Sequence, residues 1–207
     1  MNSIKLIIFD LDDTLIKTYE NMYIRVKLSG KKALNKEISK EEFDKYYGVP
    51  GFDNNMKKLF NTEDINSFLT CFENYLNEYQ YEFIVDMNKI MDLRSKGIRL
   101  GIISNSLKQK NKKKIEKNNF KNYFDFIYSF EDLEAPKPDK KIIEKIISNM
   151  DLKKCEIVYV GDDIIDKNFA DNAKLQFIPV NTGKNKWKGI NYFETVNDFL
   201  NKFLENY

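Results

Sequence analysis

The chain has 207 residues, of which 42% are hydrophobic and 32% are charged, so it contains enough apolar material for the core of a globular protein. Its 34 basic and 32 acidic side chains leave a formal net charge of +2, a balance that does not predict a polyanionic partner. It contains no histidine, which excludes serine–histidine hydrolases and histidine-ligated zinc enzymes.

The sequence also predicts a cytoplasmic protein. Cys71 and Cys155 are far apart and lack metal-ligand spacing, which fits free thiols in a reducing compartment. The first residues show no charged leader followed by an apolar block and a cleavage site. No run approaches the ~18 apolar residues that span a bilayer. We therefore expect no membrane partner.

Short apolar runs alternate with helical patterns along the chain. The runs are continuous rather than alternating, which is typical of parallel strands covered on both faces. The predicted strands are residues 4–9, 98–103, 124–128, 157–160 and 175–180. The predicted helices are residues 85–96, 107–118, 138–150, 166–173 and 194–206, with Pro138 in a first helical turn. This alternation predicts an α/β fold with a Rossmann-like, doubly wound parallel sheet.

Residues 16–84 interrupt the alternation with amphipathic helical patterns. Aromatic residues at helical spacing indicate the packed core of a small bundle, although ligand stacking also fits; they are Phe68, Phe72, Tyr75, Tyr79 and Phe83. We predict a core domain formed by residues 1–15 and 85–207 and a helical cap domain formed by residues 16–84. Because ligands bind at the carboxyl ends of strands in open α/β sheets, an insert at that edge would act as a lid.

The first predicted strand is followed directly by Asp10, Leu11, Asp12, Asp13 and Thr14. Side chains two residues apart in an extended segment point the same way, so two carboxylates would be crowded together. Like charges held close repel each other, and each loses water. This cost makes sense if one carboxylate attacks, the other transfers a proton, and a cation neutralises the pair.

Other polar groups follow other predicted strands. Ser104, Asn105 and Ser106 follow strand 98–103, Lys137 lies beyond strand 124–128, and Gly161, Asp162 and Asp163 follow strand 157–160. Each group alone also fits a turn, an exposed loop lysine or an acidic helix start. Since parallel strands end at one edge, we expect the groups to meet there.

The acidic residues of this set suit phosphoryl transfer. Asp10 is the candidate nucleophile, because a carboxylate can form an acyl phosphate, and Asp12 is the candidate acid and base. Mg²⁺ takes oxygen ligands, which Asp10, Asp162 and the backbone carbonyl of Asp12 could supply. Asp166 and Asp163 would brace those ligands, although Asp163 also fits a helix cap alone.

The remaining members of the set are candidates for binding the substrate. Lys137 supplies the positive charge that a transferring phosphoryl group requires. The Ser104 hydroxyl and nearby backbone N–H groups could hold its other oxygens, and we include Thr14 and Asn105 among the candidate substrate-binding residues.

The four parts together resemble the haloacid dehalogenase-like superfamily over the whole chain: the Asp10–Thr14 motif, Ser104, Lys137, and the motif from Gly161 to Asp166. The resemblance implies a nucleophilic first aspartate, a second aspartate as acid and base, phosphoryl-binding serine and lysine residues, and a Mg²⁺-binding last motif. The insert resembles the cap of the branch that contains phosphoglycolate phosphatase and β-phosphoglucomutase, with residues 47–50 at its substrate-specificity loop.

We therefore expect a Mg²⁺-dependent phosphatase acting on a small phosphorylated metabolite. Family dehalogenases lack an acid at the position of Asp12. Mutases of the β-phosphoglucomutase type use a cap histidine, which this chain lacks, so a mutase would require another base. A non-catalytic binding protein has no reason to crowd carboxylates.

Two further expectations concern partners. The lysine-rich stretch 108–117 has no interleaved aromatic residues, which favours a solvated helix face over a nucleic-acid site. Substrate choice is expected from the insert, where the first candidates are Arg25, Tyr46, Tyr47, Phe52, Asn54, Asn55 and Lys57.

Overall fold

The computed structural model describes residues 4–49, 51–76, 81–116, 120–184 and 186–206. The chain divides into two compact units. The sheet unit is formed by residues 1–17 and 83–207, and the helical unit by residues 18–82.

The strands, in chain order, are β1 (Leu6–Phe9), β2 (Ile16–Lys17), β3 (Glu82–Phe83), β4 (Arg99–Ile103), β5 (Phe126–Tyr128), β6 (Ile157–Gly161) and β7 (Gln176–Pro179). The helices are α1 (Tyr19–Leu34), α2 (Lys40–Asp44), α3 (Phe52–Phe60), α4 (Asn66–Asn74), α5 (Met87–Ser95), α6 (Lys108–Glu116), α7 (Lys141–Met150), α8 (Ile164–Ala173) and α9 (Val196–Glu205).

Five strands form one sheet in the order β5-β4-β1-β6-β7, and every neighbouring pair is parallel. The central strand β1 is completely buried, which explains why its sequence is continuously apolar. Because β1 lies between β4 and β6, the residues that follow these three strands emerge side by side at one edge. The predicted α/β fold with a parallel Rossmann-like sheet is confirmed.

The five helices α5 to α9 each begin between one and three residues away from the predicted position, and two of these shifts have a visible cause. Helix α7 begins at Lys141 rather than at residue 138, because the carboxylate of Asp139 accepts the Lys141 N–H at 2.8 Å. Helix α8 begins at Ile164, two residues earlier than predicted, because Asp163 caps it. The predicted helix 107–118 corresponds to α6; residues 117 and 118 lie outside the described ranges.

The helical unit contains α1 to α4 around an aromatic core. The rings of Phe68 and Phe72 stack with 5.8 Å between their centroids, and the centroid of the Phe52 ring lies 4.9 Å from that of Phe72. The aromatic residues are not one helical stripe as predicted: Tyr75 follows the end of α4, and Phe83 belongs to β3. Tyr79 lies outside the described residues.

Several substrate candidates of the insert belong to the interior of the helical unit. The Arg25 guanidinium is buried, lies 3.8 Å from the centre of the Phe72 ring, and donates to the Phe72 carbonyl at 2.7 Å. Asn55 is also buried and donates to the Val49 carbonyl at 2.9 Å. Pro50, in the predicted specificity loop, lies outside the described residues.

Among the described residues, no helix combines the length and apolarity that a membrane crossing requires.

Gly30 in α1 leaves space for a neighbouring ring, and this space generates a test of the helical unit. A Cβ atom at position 30 would lie 2.3 Å from the buried Phe60 ring. Alanine is favoured over glycine in helices by about 1 kcal/mol, but overpacking costs about 1–3 kcal/mol. We expect Gly30→Ala to lower the midpoint of urea unfolding.

The same substitution in a Phe60→Leu background is the control. Leucine at position 60 is smaller than phenylalanine and should accommodate the added methyl group. Gly30→Ala should therefore lower the urea midpoint less in this background than in the wild type. A higher urea midpoint for Gly30→Ala alone would contradict the packing described.

Candidate active site

The turn after β1 brings its polar residues to the carboxyl edge of the sheet. The N–H groups of Leu15 and Ile16 donate to the Leu11 carbonyl, which closes a compact turn. Asp13 has a φ of 59°, a left-handed conformation that aspartate tolerates better than most residues. The segment therefore turns back on itself between Leu11 and Ile16, directly after Asp10.

A buried ammonium group lies at the centre of the site. Lys137 Nζ donates to Asp10 Oδ1 at 2.6 Å, to Asp166 Oδ1 at 2.6 Å and to the Tyr159 hydroxyl at 2.9 Å. The Lys137 side chain is only 4% exposed. Lys137 is thus a buried partner of the acidic residues, and the alternative prediction of an exposed loop lysine is wrong.

Tyr159 is a site residue that sequence reasoning missed. It lies in β6, where the apolar pattern marks it as core, and its hydroxyl donates to Asp166 Oδ1 at 3.1 Å. The available signal was a hydroxyl group in an otherwise aliphatic strand, two residues before Gly161.

Asp162 follows β6 and is buried beside Thr14. The Thr14 hydroxyl donates to Asp162 Oδ1 at 3.1 Å. A Cβ atom at Gly183 would lie 1.8 Å from Asp162 Oδ2, so a side chain at position 183 would displace the carboxylate. Thr14, a predicted substrate-binding residue, is placed where it orients Asp162.

Asp163 and Asp166 share the beginning of α8. Asp163 accepts the Ile165 N–H at 2.9 Å, and Asp166 Oδ2 accepts the Asp163 N–H at 3.2 Å, which forms a reciprocal helix cap. A Cβ atom at Gly161 would lie 2.5 Å from Asp166 Cβ, so only glycine leaves this side chain in place. The cap therefore fixes Asp166 against Lys137.

The residues after β4 hold neighbouring groups. Asn105 donates to the Lys137 carbonyl at 2.9 Å and accepts the Lys137 N–H at 2.8 Å, so it fixes the backbone that carries the ammonium. Ser104 is buried, and its hydroxyl accepts the Ser106 N–H at 3.1 Å. The Ser106 hydroxyl in turn donates to Asp12 Oδ2 at 2.8 Å.

Lys114 is a second missed residue of the site. Its ammonium donates to Asp12 Oδ1, and its side chain is 4% exposed. The expectation of a solvated helix face over 108–117 is therefore wrong at Lys114. Asp12 and Asp10 thus have separate ammonium partners.

Three buried carboxylates, those of Asp10, Asp162 and Asp166, each offer an oxygen within 4.8 Å of the others. The single positive charge of Lys137 cannot neutralise all three. Burial raises the pKa of Asp10 to about 8; Asp166 and Asp12 add to the rise, and Lys137 opposes it. Burial likewise raises the pKa of Asp162 far above its usual range.

Burial disfavours the charged form of Lys137, but the Asp10 and Asp166 carboxylates outweigh that effect and raise its pKa. Lys137 therefore stays charged, and burial favours the protonated forms of Asp10 and Asp162 unless a cation replaces those protons. With all three ionised, the cluster and Lys137 together carry a charge of −2, the complement of one divalent cation. An all-oxygen donor set of this charge fits Mg²⁺. Asp166, predicted to brace the ligands, offers an oxygen to the same cluster, and its two oxygens already accept hydrogen bonds from Lys137 and from the Asp163 N–H.

Comparisons with known proteins identify the family of this chain. Residues 7–180 match the family model described as haloacid dehalogenase-like hydrolase. Pyrophosphatase PpaX of Bacillus mycoides (strain KBAB4) is 22% identical over 181 residues, which cover 86% of this chain and 83% of that protein. The glyceraldehyde 3-phosphate phosphatase of Methanocaldococcus jannaschii is 26% identical over an alignment of 219 residues. The alignment covers 98% of this chain and 95% of that protein.

Solved structures share the fold. A candidate β-phosphoglucomutase from Thermotoga maritima matches with a TM-score of 0.81 at 16% identity, covering 98% of this chain and 99% of that one. A predicted phosphoglycolate phosphatase from Haemophilus somnus matches with a TM-score of 0.74 at 18% identity, covering 98% and 99%. The matched family region includes Asp10, Lys137 and Asp162. The chain therefore belongs to the haloacid dehalogenase-like hydrolase family and is an enzyme.

Proposed function

We propose that this enzyme is a Mg²⁺-dependent phosphatase that hydrolyses a small phosphomonoester through a phosphorylated Asp10. The observation that carries the proposal is the pair of differently held carboxylates after β1. Asp10 lies in the buried cluster against Lys137, whereas Asp12 lies against Ser106 and Lys114. Two such environments suit one carboxylate that attacks and another that transfers a proton.

In the first half of the reaction, an oxygen of Asp10 bonds to phosphorus while the bond from phosphorus to the ester oxygen breaks. Asp12 gives its proton to that leaving oxygen. Lys137 holds the Asp10 carboxylate in place and offsets negative charge at the phosphoryl group. We expect the buried Ser104 hydroxyl to bind a phosphoryl oxygen, while Asn105 fixes the backbone of Lys137.

In the second half, Asp12 accepts a proton from the water that attacks phosphorus, and Asp10 leaves as a carboxylate. Mg²⁺, held by Asp10 and Asp162 with Asp166 nearby, would supply the positive charge that lets an anionic phosphoryl group approach. Thr14 and Gly183 keep Asp162 oriented for this role.

Substrate choice and cellular context are parts of the same proposal. We propose that residues 16–84 act as the cap that selects the substrate, and that the enzyme works in the cytoplasm on small metabolites without binding nucleic acid. The Bacillus relative named a pyrophosphatase makes pyrophosphate a necessary member of any substrate panel. A phosphomutase would use the same Asp10 and Asp12 but requires a further base, and the chain has no histidine for it.

Asp10→Asn tests the nucleophile. Phosphate release should be measured from sugar phosphates, phosphoglycolate, glyceraldehyde 3-phosphate and pyrophosphate, with Mg²⁺ and with EDTA. We expect Mg²⁺-dependent release by the wild type and a loss of at least about 10³-fold in the variant, because an amide is a poor nucleophile. Thermal melting should show that the variant is folded.

Asp198→Asn is the matched control for this test. Asp198 accepts the Thr195 N–H at 2.9 Å at the start of α9, and an amide oxygen can accept the same bond. This variant should keep wild-type turnover. Release by Asp10→Asn at the wild-type rate would refute the proposed mechanism.

The raised pKa values of Asp10 and Asp162 predict how pH affects Mg²⁺ binding. These carboxyl groups keep protons in the metal-free folded state at pH values where the unfolded chain has lost them, so metal-free stability should fall as pH rises from about 4 towards 8. Mg²⁺ replaces those protons and should bind more tightly at higher pH. The rise in melting temperature caused by Mg²⁺ should therefore be larger at pH 8 than at pH 6.

Asp162→Asn should lose most of this Mg²⁺ effect, whereas Asp198→Asn should retain it. Calorimetry should also detect proton release on Mg²⁺ binding near neutral pH. A Mg²⁺ effect that is independent of pH, or is unchanged in Asp162→Asn, would show that the cluster is not the Mg²⁺ site.

A further inference from the structure

Helix α6 presents an unusual inner face to the sheet unit. Its sequence is almost entirely polar, yet Asn111, Lys114 and Ile115 are buried. The Lys112 side chain on the same helix is 67% exposed, and the Lys114 side chain is 4% exposed. Burying an ammonium group costs desolvation free energy even when the group is paired, a cost that an apolar residue at this position would avoid.

Lys114 is buried against Asp12. Its ammonium donates to Asp12 Oδ1, and the Ser106 hydroxyl donates to Asp12 Oδ2 at 2.8 Å. Each oxygen of the carboxylate therefore has its own donor, one charged and one neutral. This pair of contacts fixes the direction in which the Asp12 carboxyl group points.

Asn111 links the two donors, one helical turn before Lys114. Its side-chain amide donates to the Ser106 carbonyl at 3.2 Å and to the Ser129 hydroxyl at 2.9 Å. The Ser106 N–H is held by the Ser104 hydroxyl at 3.1 Å. Helix α6 thus anchors both the residue that carries the neutral donor and the charged donor itself.

We propose that Lys114 is a positioning residue for proton transfer by Asp12, an inference that rests on the phosphatase function proposed above. A proton transfer requires the acid within hydrogen-bond reach of the leaving oxygen, and small misplacements of such a group cost large factors in rate. Lys114 orients the carboxyl group through Oδ1 and keeps its own proton throughout. Asp12 gives one proton to the leaving oxygen and regains one from water.

The leaving group distinguishes this role from a structural one. An alkoxide requires a proton as it departs, whereas p-nitrophenolate departs without one. The value of kcat/KM reports the steps up to that departure. For Lys114→Met we expect kcat/KM to fall on the order of 10–100-fold for the best alkyl phosphate of the panel and less than about 3-fold for p-nitrophenyl phosphate.

Three control variants test whether the effect depends on the charge of Lys114, on a change anywhere in helix α6, or on the pairing with Asp12. Lys113→Met changes the exposed neighbour of Lys114 and should match the wild type for both substrates. Lys114→Arg should restore most of the alkyl phosphate activity. Asp12→Asn should show the same dependence on the leaving group, and adding Lys114→Met to it should cause little further loss.

Each outcome decides the inference. Equal losses for both substrates, or no loss, in a folded and active Lys114→Met would overturn it and leave the phosphatase function standing. If Lys114→Met does not fold, Lys114→Gln must show the same selective loss, because the glutamine amide is one bond shorter than the lysine side chain and stops short of Asp12 Oδ1. A folded wild type that is inactive on every phosphate compound would overturn the proposed function and this inference together.

Discussion

The buried contact of Lys137 with Asp10 and Asp166 is the interaction on which the rest of the site depends. Asp10 lies 127 residues before Lys137 in the chain, and Asp166 lies 29 residues after it, so one ammonium joins the end of β1 to the first turn of α8. Removing either sign of charge would leave the other buried without compensation. The excess of negative charge that remains makes this region suitable for a divalent cation and a phosphoryl group.

Two glycines leave the space that the buried carboxylates occupy, and this space is a second requirement of the site beside the charge of Lys137. Gly161 leaves space for Asp166, and Gly183 leaves space for Asp162. The reciprocal cap of Asp163 and Asp166 then ties the cluster to the first turn of α8. A helix cap and an active-site carboxylate are therefore the same side chain, so stability of α8 and orientation of Asp166 are linked.

Helix α6 extends the same logic to the second carboxylate. Its exposed lysines make ordinary surface contacts, such as that of Lys108 with Asp132 at 2.8 Å, while Lys114 points into the sheet unit. Asp12 is thus held by Lys114 of helix α6, and Asp10 is held by Lys137, which precedes helix α7. Separate partners keep Asp10 and Asp12 in different electrostatic environments, which is the requirement for different chemical roles.

The sequence by itself determined the parallel sheet and the main members of the site. Continuous apolar runs indicate burial on both faces, and parallel strands deliver Asp10, Ser104 and Asp162 to one edge, whereas Lys137 lies well beyond β5 and is held there by Asn105. The tertiary structure alone decided which donor meets which acceptor. Lys114 in a lysine-rich helix carries no local signal, and the hydroxyl group of Tyr159 in an apolar strand does not say which group it contacts, because a side chain's partner depends on the neighbouring element that it faces. For the same reason, only packing placed Thr14 on Asp162 and Arg25 in the interior of the helical unit.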